Sequence, residues 1–375
     1  MKPTNTTELK KTNKKNIFFY IYNQKETSKQ EIAEMLNLSL PTVSQNIKEL
    51  ESMDLIEKNG YLESTGGRKA NVIVINATAK IAIGLEILKH SIEMVAIDLY
   101  GVILNSRKID MDFNNVDSYF KTLSTHVNRF INSLSIPSTS IIGIGIVLQG
   151  LISSDGSLVT YGEILDCTGL TIEQFSKYIP YPCSMIHDAE AAATDELWNC
   201  PQISDAIFFH IRTNLSGAII IDGKFLKGRE LKTGVFEHMT IVPNGKPCYC
   251  GKNGCMDTYC SLNALVNENE TLDSFFLKLR NENRPTTKRW KAYLEYLSIA
   301  IDNLHMLMDC DIILGGTLAQ YLTSDDIDIL HYYVQQQSAF PTKRKFIKIS
   351  ERAGLPVATG AALPYIMQFL DSALL

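Results

Sequence analysis

The first fifty residues alternate apolar stretches at helical spacing with short polar turns. After a polar tail over residues 1–15, which we expect to be disordered, the segment NIFFYIYNQ from Asn16 is apolar enough for a buried first helix. Ser28, with Glu31 three residues later, is typical of the capped start of a second, shorter helix. The pattern therefore predicts two consecutive helices at the start of the chain.

A third helix follows a tight turn. Ser39 can cap this helix, in which Val43, Ile47 and Leu50 recur at the i, i+4, i+7 spacing of a buried face. The polar residues of this segment are predicted to face outward and to contact DNA: Ser39, Thr42, Ser44, Gln45, Asn46 and Lys48. Two helices that cross at a short turn, with small polar residues along the second, suit insertion into a major groove.

The next segment has the pattern of a wing. Strand-forming residues over 55–58 and 71–76 flank an Asn-Gly turn signal and the basic stretch STGGRK. Arg68 and Lys69 in that loop are placed to reach phosphate or the minor groove. A generic three-helix bundle is the alternative, but turn, hairpin and basic loop all favour a winged helix-turn-helix domain over residues 16–78.

From residue 80 onward the pattern changes to buried strands interleaved with helices. IAIGLEI, IEMVAIDLYG and IIGIGIVL are typical of strands, and the segment over 288–310 is typical of a long helix. This order predicts an α/β fold in which mixed sheets are covered by helices. About 295 residues exceed one ordinary lobe, so we expect two lobes with a cleft between them.

Composition narrows the class of protein. The 375 residues are 45% hydrophobic and 21% charged, which supports a packed core. No apolar run approaches the ~18 residues of a membrane helix and no secretory signal is visible, so we predict a cytoplasmic protein without stable disulfides. The net charge is −5, although residues 1–75 carry eleven Lys and Arg against nine Asp and Glu. That small basic excess permits DNA binding without requiring it.

Three of the eight cysteines lie within eight residues, in the stretch CYCGKNGC. Cys248, Cys250 and Cys255 follow C-x-C-x4-C, and His238 lies ten residues upstream. Three thiolates and one imidazole would make a closed tetrahedral Zn²⁺ site of the structural kind. Unrelated buried cysteines or a redox cluster are the alternatives, and redox pairs more often have C-x-x-C spacing. Cys260 has no assigned role.

These pieces together resemble the ROK family (repressors, open reading frames and sugar kinases), most closely its winged-helix repressor branch. Four stretches carry the resemblance: STGGRKANVIVI; HDAEAAATDELW; GVFEHMTIVPNGKPCYCGKNGCMDTYCS; and ILGGTLA with the later GAA. The resemblance implies a two-lobed ribonuclease-H-like fold of the actin and hexokinase type, with zinc on the histidine and three cysteines. We divide the body into a first lobe over 79–190 plus 355–375 and a second, zinc-containing lobe over 191–354.

Two departures from the family pattern concern catalysis. Kinases of this family have a D-x-G-G-T turn in the first hairpin, where this chain has the segment 86–90, EILKH. Their second phosphate loop, G-T-G-x-G-x-G, is replaced here by RTNLSGA over 212–218. Without those glycines, side chains fill the space that nucleotide phosphates need. We therefore predict that the chain is not an enzyme.

The sugar site that the resemblance implies is partly changed. Asp188 stands where the kinases keep their base, although it can also serve as a helix N-cap. Val235 replaces a sugar-binding Glu, and Asp257 replaces another by a side chain one methylene shorter. The predicted effector contacts are His187, Asp188, Glu237, His238 and Asp257. These changes indicate a modified or different sugar, or no small-molecule effector.

The resemblance implies a transcriptional regulator, most simply a repressor of carbohydrate-utilisation genes. It would bind a double-stranded DNA operator as a homo-oligomer, a dimer or a dimer of dimers, with a sugar or sugar derivative in the cleft. A sugar kinase with a fused DNA-binding domain, or a regulator controlled by a protein partner, are the alternatives.

Overall fold

The winged domain forms the first part of the fold. A computed structural model describes residues 6–61, 71–352 and 354–372 of the chain. The domain consists of α1 (Thr6–Gln24), β1 (Glu26–Thr27), α2 (Lys29–Met35), α3 (Leu40–Ser52), β2 (Ile56–Tyr61) and β3 (Asn71–Ile75). Strand β3 lies between β1 and β2 and is antiparallel to both. Ile47 and Leu50 are fully buried beneath this sheet and against α1, as the helical spacing predicts.

The start of α1 corrects one prediction. The segment 6–15, expected to be disordered, is helical and continues without a break into the apolar part of α1. Lys10 and Lys14 reach Glu49 on α3, with nitrogen–oxygen distances of 2.6 and 3.5 Å. A helix nucleated by its buried half extends through polar residues at little cost, and these ion pairs favour the extension.

The first lobe is built on a five-stranded sheet. Its elements are β4 (Ile81–Ile87), β5 (Ser91–Ile97), β6 (Ile103–Asp110), α4 (Asp117–Ser133), β7 (Ile141–Leu148), β8 (Leu151–Ile152), β9 (Val159–Tyr161), α5 (Glu173–Ser176) and β10 (Cys183–His187). The strand order is β6-β5-β4-β7-β10, with antiparallel pairs on one side of β4 and parallel pairs on the other. Short β8 and β9 pair separately at the edge of the cleft.

The second lobe repeats this plan. After α6 (Asp188–Asn199) come β11 (Ala206–Ile211), β12 (Leu215–Ile221), β13 (Lys224–Phe225), α7 (Asp257–Cys260), α8 (Leu262–Leu265), α9 (Leu272–Arg280), α10 (Arg284–Leu307), β14 (Asp311–Gly315), α11 (Ser324–Gln337) and β15 (Ile347–Ile349). The order β13-β12-β11-β14-β15 matches the first sheet strand for strand, with the same parallel and antiparallel pairs. Two copies of this sheet match the two-lobed, ribonuclease-H-like arrangement that the family resemblance implies.

Two helices tie the parts together. Helix α6 runs through the predicted lobe boundary at residues 190–191, and α12 (Pro356–Ser372) returns to pack on the first sheet. The crossings need glycine: a Cβ on Gly84 would lie 1.7 Å from the Ala358 oxygen, and one on Gly360 would lie 1.7 Å from the Ala191 oxygen. Backbone therefore touches backbone, which fixes α12 against both the sheet and α6.

The winged domain shares its core with the body. Ile17 and Ile21 of α1 belong to the same buried cluster as Ile97 of the first sheet and Leu363 and Ile366 of α12. The orientation of the winged domain is thus set by apolar packing on the first lobe, in addition to its covalent link. Among the described residues, no helix has the length and apolar character needed to cross a bilayer.

Candidate functional site

The outer face of α3 is the candidate DNA-contacting surface. Gln45 and Lys48 are exposed, and Thr42 and Ser44 are partly exposed. Ser39 is exposed too, and its Oγ accepts a hydrogen bond from the Thr42 amide at 3.3 Å, so it caps the helix. These five predicted residues stand on the side of α3 away from the core, or at its first turn. Arg68 and Lys69 of the predicted wing lie outside the described residues.

Asn46 is a correction to the predicted DNA contacts. Its side chain is 2% exposed, and its Nδ2 donates to the Thr42 carbonyl at 2.8 Å. Position 46 lies three residues after Val43, so helical spacing places it on the buried face beside Ile47. Asn46 therefore shapes the inside of the domain rather than the surface that meets DNA.

The four predicted metal ligands converge. One ligand atom from each of His238, Cys248, Cys250 and Cys255 lies within 4.8 Å of all the others. The Cys248 Sγ is 3.6 Å from the His238 Nδ1, and the Cys250 and Cys255 sulfurs are 3.7 Å apart. Tetrahedral zinc with bonds of about 2.3 Å to sulfur and 2.0–2.1 Å to nitrogen requires separations of about 3.6 Å (S to N) and 3.8 Å (S to S). The arrangement fits that ion.

Local backbone geometry brings the ligands together. Gly254 has φ +79°, and a Cβ there would lie 1.8 Å from the Val242 oxygen, so only glycine fits the turn before Cys255. A bridge between Thr240 and Cys255 sets the third cysteine beside the segment that carries His238. The Lys252 Nζ donates to the His238 carbonyl at 2.9 Å. Cys260 is buried in the core of the second lobe, outside this cluster.

A cleft of ≈ 600 Å³ lies next to the cluster. It is lined by the first lobe at Gln149–Leu151, Tyr161, Glu163 and Ile164, by His187 and Asp188, and by the second lobe at Asn214–Ser216, Lys232, Val235, Glu237, His238, Tyr249, Cys250 and Lys252. Its size is within the range of small-molecule sites. Two candidate metal ligands, His238 and Cys250, are part of its wall, so the cluster supports one side of the cleft.

Asp188 occupies the cleft floor at the first turn of α6. It is 5% exposed, its Oδ1 accepts from the Ala189 amide at 2.8 Å, and the His187 Nε2 is 3.4 Å away. Burial by itself would raise the pKa of Asp188, but nearby His187, His210 and Arg212 outweigh burial and lower it. Asp188 is therefore a carboxylate that can accept hydrogen bonds from hydroxyl groups.

His210 is a buried polar residue that the sequence analysis did not identify. It is 1% exposed, and neither ring nitrogen has a hydrogen-bond partner. Burial lowers its pKa to about 3, with Arg212 and His187 adding to the decrease while Asp188 opposes it. The imidazole is thus neutral at physiological pH.

Glu237 contributes the other buried carboxyl group of the cleft. It is 4% exposed, its Oε2 has no hydrogen-bond partner, and it stands beside Val235 in the lining. Burial raises its pKa well above the ordinary value, and the charges of Asp188 and Asp257 add to the increase. An unsatisfied buried oxygen is costly, so a ligand that donates a hydrogen bond to it would relieve that cost.

Asp257 corrects the predicted set of effector contacts. Its Oδ1 accepts from the Leu215 amide at 2.7 Å in a buried position, and the residue is not part of the cleft lining. The side chain is one methylene shorter than Glu, and it is held by the backbone at the start of β12. Asp257 thereby shapes the cleft wall from behind.

An ion pair joins the two positions where kinases of the resembled family bind phosphate. Glu86 is the next-to-last residue of β4, Arg212 directly follows β11, and the Arg212 Nη1 donates to the Glu86 Oε1. Glu86 is 3% exposed, and the segments 86–90 and 212–216 contain no positive φ. Burial tends to raise the pKa of Glu86, and Arg212 opposes that increase. The pair connects the lobes across the cleft.

Several cleft residues were not among the predicted contacts. Asn214 and Ser216 belong to RTNLSGA, which sequence reasoning examined only as a missing phosphate loop. Tyr249 lies between two candidate metal ligands in the chain, so its position followed from the cysteine motif. Tyr161 and Glu163 come from a segment without a regular pattern, and only the folded chain places them at the cleft.

Comparison with known proteins identifies the domains of this chain. The ROK family model matches residues 82–345, and a model for winged helix-turn-helix DNA-binding domains matches residues 11–57. The xylose repressor of Bacillus spizizenii is 27% identical over 271 residues, covering 71% of this chain and 70% of that protein. The DNA-binding transcriptional dual regulator NagC of Escherichia coli is 25% identical over 245 residues, covering 64% and 60%.

A solved structure extends the likeness to the whole fold. The ROK family transcriptional regulator described as a homologue of the E. coli MLC protein aligns with a TM-score of 0.77. The alignment is 20% identical and covers 98% of each chain, so the winged domain and both lobes are included. With the family model matching more than half of its residues, this chain belongs to the ROK family.

Proposed function

We propose that this protein is a sugar-responsive DNA-binding repressor. The observation that carries the proposal is that a winged helix-turn-helix domain and a ROK body share one hydrophobic cluster, which joins α1 to the first sheet and α12. A ligand that changes the body can then change the DNA-binding domain, because apolar packing connects them. Relatives whose names describe them as xylose and N-acetylglucosamine repressors support the same assignment.

The exposed face of α3 would read the operator. Lys48 is exposed on that face and is suited to a phosphate contact. Lys58, by contrast, already pairs with Glu51 near the end of α3, at 2.7 Å. The test is a binding titration with a duplex that the full-length protein selects from a random pool. Lys48→Ala should weaken binding and reduce the salt dependence of the affinity by about one phosphate contact, while Lys58→Ala should leave it near wild type.

The cleft would hold a sugar or sugar derivative. Asp188 and Glu237 are acceptors for hydroxyl donors, and Val235, Leu151 and Ile164 give the site an apolar side. A thermal-shift screen with D-xylose, N-acetylglucosamine and D-glucose tests the idea, because a ligand specific for the folded state raises the melting temperature. Asp188→Asn should remove that rise, and a sugar that binds should also change the affinity for the selected duplex. If no carbohydrate raises the melting temperature, the proposed sugar control is wrong.

We further propose that the protein does not phosphorylate sugars. Glu86 and Arg212 occupy the two loop positions with bonded side chains where a nucleotide would need open backbone amides. An assay for ADP release from ATP with each sugar gives the answer directly. Turnover that depends on Asp188 would identify a kinase with a fused DNA-binding domain and contradict this assignment.

The cluster of His238 and three cysteines would hold a structural Zn²⁺ ion. All four positions of a tetrahedral ion are filled by protein ligands, and a closed site of this kind cross-links the loop that forms one wall of the cleft. Elemental analysis of purified protein should give one zinc per chain.

The protein would act as a homodimer or dimer of dimers in the cytoplasm, with two winged domains on neighbouring half-sites. Sedimentation of the protein–DNA complex would measure the number of chains bound.

A further inference from the structure

Helix α6 connects the effector cleft to the DNA-binding domain. Its first residue, Asp188, lies on the cleft floor, and its last turn carries Trp198. Twelve residues at 1.5 Å per residue make the helix about 18 Å long. One rigid element thus has one end in the candidate sugar site and the other end at the winged domain.

Trp198 contacts the turn that receives the winged domain. Its indole N–H donates to the Tyr100 carbonyl at 3.0 Å, in the turn between β5 and β6. The next residue, Gly101, has φ +76°, and a Cβ there would lie 2.6 Å from the indole nitrogen. Asp98 holds the same turn by accepting from the Tyr100 and Val102 amides at 2.8 and 2.9 Å. A displacement of Trp198 would therefore displace the turn as well.

The winged domain grips that turn through the end of α1. Tyr22 stacks on Tyr100 with ring centroids 4.5 Å apart, and its hydroxyl donates to the Leu99 carbonyl at 2.8 Å. The Tyr100 hydroxyl donates back to the Tyr22 carbonyl at 3.3 Å. The Lys25 ammonium lies 3.3 Å from the Tyr100 ring centroid, as in a cation–π contact. Hydrogen bonds and aromatic stacking therefore both hold the end of α1 against the turn.

The middle of α6 is tightly packed, so we expect the helix to move as one rigid unit. Ala191, Ala192 and Ala193 are buried, and α6 crosses α12 at the close contact between Ala191 and Gly360. Small side chains at a backbone-to-backbone contact leave no space for α6 to bend independently. A shift at Asp188 is therefore passed along the axis rather than absorbed within the helix.

We propose that the junction formed by Trp198, Tyr100, Tyr22 and Lys25 transmits the state of the cleft to the DNA-binding domain through α6. The inference rests on the proposed function and adds the route by which the sugar acts. A ligand that prefers one position of α6 would favour one orientation of α1, and by linkage DNA would favour the same position of α6.

The chain supplies a matched control for this proposal. It has two tryptophans, Trp198 and Trp290, and Trp290 donates its indole N–H to the Asp326 Oδ1 at 3.0 Å in the core of the second lobe. Trp198→Phe and Trp290→Phe thus each remove one hydrogen bond of an indole N–H. The first bond lies at the junction and the second lies far from it.

The experiment measures the affinity of full-length protein for its selected duplex with and without D-xylose or N-acetylglucosamine. In wild type and Trp290→Phe the sugar should change duplex affinity by the same factor, within the ~5–150-fold range of allosteric coupling. In Trp198→Phe and in Tyr22→Leu that factor should fall toward one, while sugar affinity from calorimetry stays within about threefold of wild type. The proposal is overturned if the sugar still changes duplex affinity by the wild-type factor in both junction variants. It is also overturned if Trp290→Phe loses this sugar effect as fully as the junction variants do.

A second arm uses DNA alone and separates this proposal from the proposed function. Saturating duplex should change amide hydrogen exchange over residues 187–192 in wild type and Trp290→Phe, and should leave it unchanged in Trp198→Phe. If neither sugar affects wild-type DNA binding but this exchange pattern holds, the sugar assignment fails and the junction stands. If the wild-type protein binds DNA without any change over 187–192, the junction proposal is wrong.

Discussion

The cysteine cluster and the cleft beside it share His238 and Cys250, yet they differ in whether their polar atoms have partners. In the cluster, four candidate ligand atoms lie within 4.8 Å of one another, as many as a tetrahedral metal ion takes. In the cleft, the Glu237 Oε2 and the Ser216 Oγ are buried without a partner. Both nitrogens of His210, which lies outside the cleft lining, are also buried without a partner. A closed set of ligands is typical of a structural metal site, whereas buried polar groups without partners are candidates for contact with a ligand.

The two regions also differ in how they depend on the rest of the chain. The cluster is made by residues 238–255 of one lobe, whereas the cleft combines both lobes and the start of α6. Removing one cluster residue should therefore damage a local unit, and changing a cleft residue should affect the relation between lobes or the binding of a ligand. Four variants test that distinction.

Cys250→Ser should have the largest effect. The variant is expected to lose bound zinc and to melt at least about 10 °C lower, because structural zinc contributes ~10–16 kcal/mol of binding free energy in small sites and a domain of this size loses ~2–4 °C per kcal/mol. Elemental analysis and scanning calorimetry measure both quantities. Cys200→Ser, at a thiol outside the cluster, should keep zinc and melting temperature. Full zinc content in Cys250→Ser would show that the cluster is not the metal site.

Arg212→Ala should destabilise the protein by roughly 3 kcal/mol, because it leaves the Glu86 carboxylate buried without its partner. Replacing both residues, as Glu86→Gln with Arg212→Ala, should restore most of that loss. Urea unfolding of wild type, both single variants and the double variant measures the coupling. A loss below about 1 kcal/mol in Arg212→Ala would mean that the pair does not hold the lobes together.

His210 should make stability sensitive to acid. Its folded pKa is lowered to about 3, so between an unfolded pKa near 6.5 and that value only the unfolded chain takes up the proton, and stability falls as pH falls. From pH 7 to pH 5 the wild type should lose about 2 kcal/mol more than His210→Gln. Unfolding curves at both pH values give the difference. Parallel losses in the two proteins would exclude a buried neutral imidazole at this position.

Glu237→Leu should have the smallest and most selective effect. Because the Glu237 Oε2 lacks a partner, the variant is expected to be at least as stable as wild type. Its affinity for the sugar found in the thermal-shift screen should nevertheless fall about tenfold, as for a lost hydrogen bond of ~1.4 kcal/mol. Calorimetric titration measures this, with Glu163→Gln at the exposed rim as the control. Unchanged affinity would remove Glu237 from the effector contacts.

The winged domain illustrates what local patterning can and cannot supply. The spacing of Val43, Ile47 and Leu50 predicted the buried face of α3, which the structure confirms. The same spacing applied to Asn46 would have placed it inside, but its polarity suggested the surface. The tail over 6–15 was missed for a related reason: its apolar content is low, and contact with Glu49 on α3 stabilises it as helix.

The sequence alone determined the fold family, the order of elements and the four cluster residues. These features depend on short-range spacing, on cysteine chemistry and on glycines that permit particular turns, all of which are visible along the chain. Tertiary structure decided which polar groups of the cleft remain unsatisfied, that Asp257 binds the Leu215 amide, and that Glu86 meets Arg212 from the other lobe. It also decided that Trp198 meets the turn on which Tyr22 stacks. Such pairings join residues about 40 to 130 positions apart, and only the packing of two sheets around α6 and α12 brings them within bonding distance.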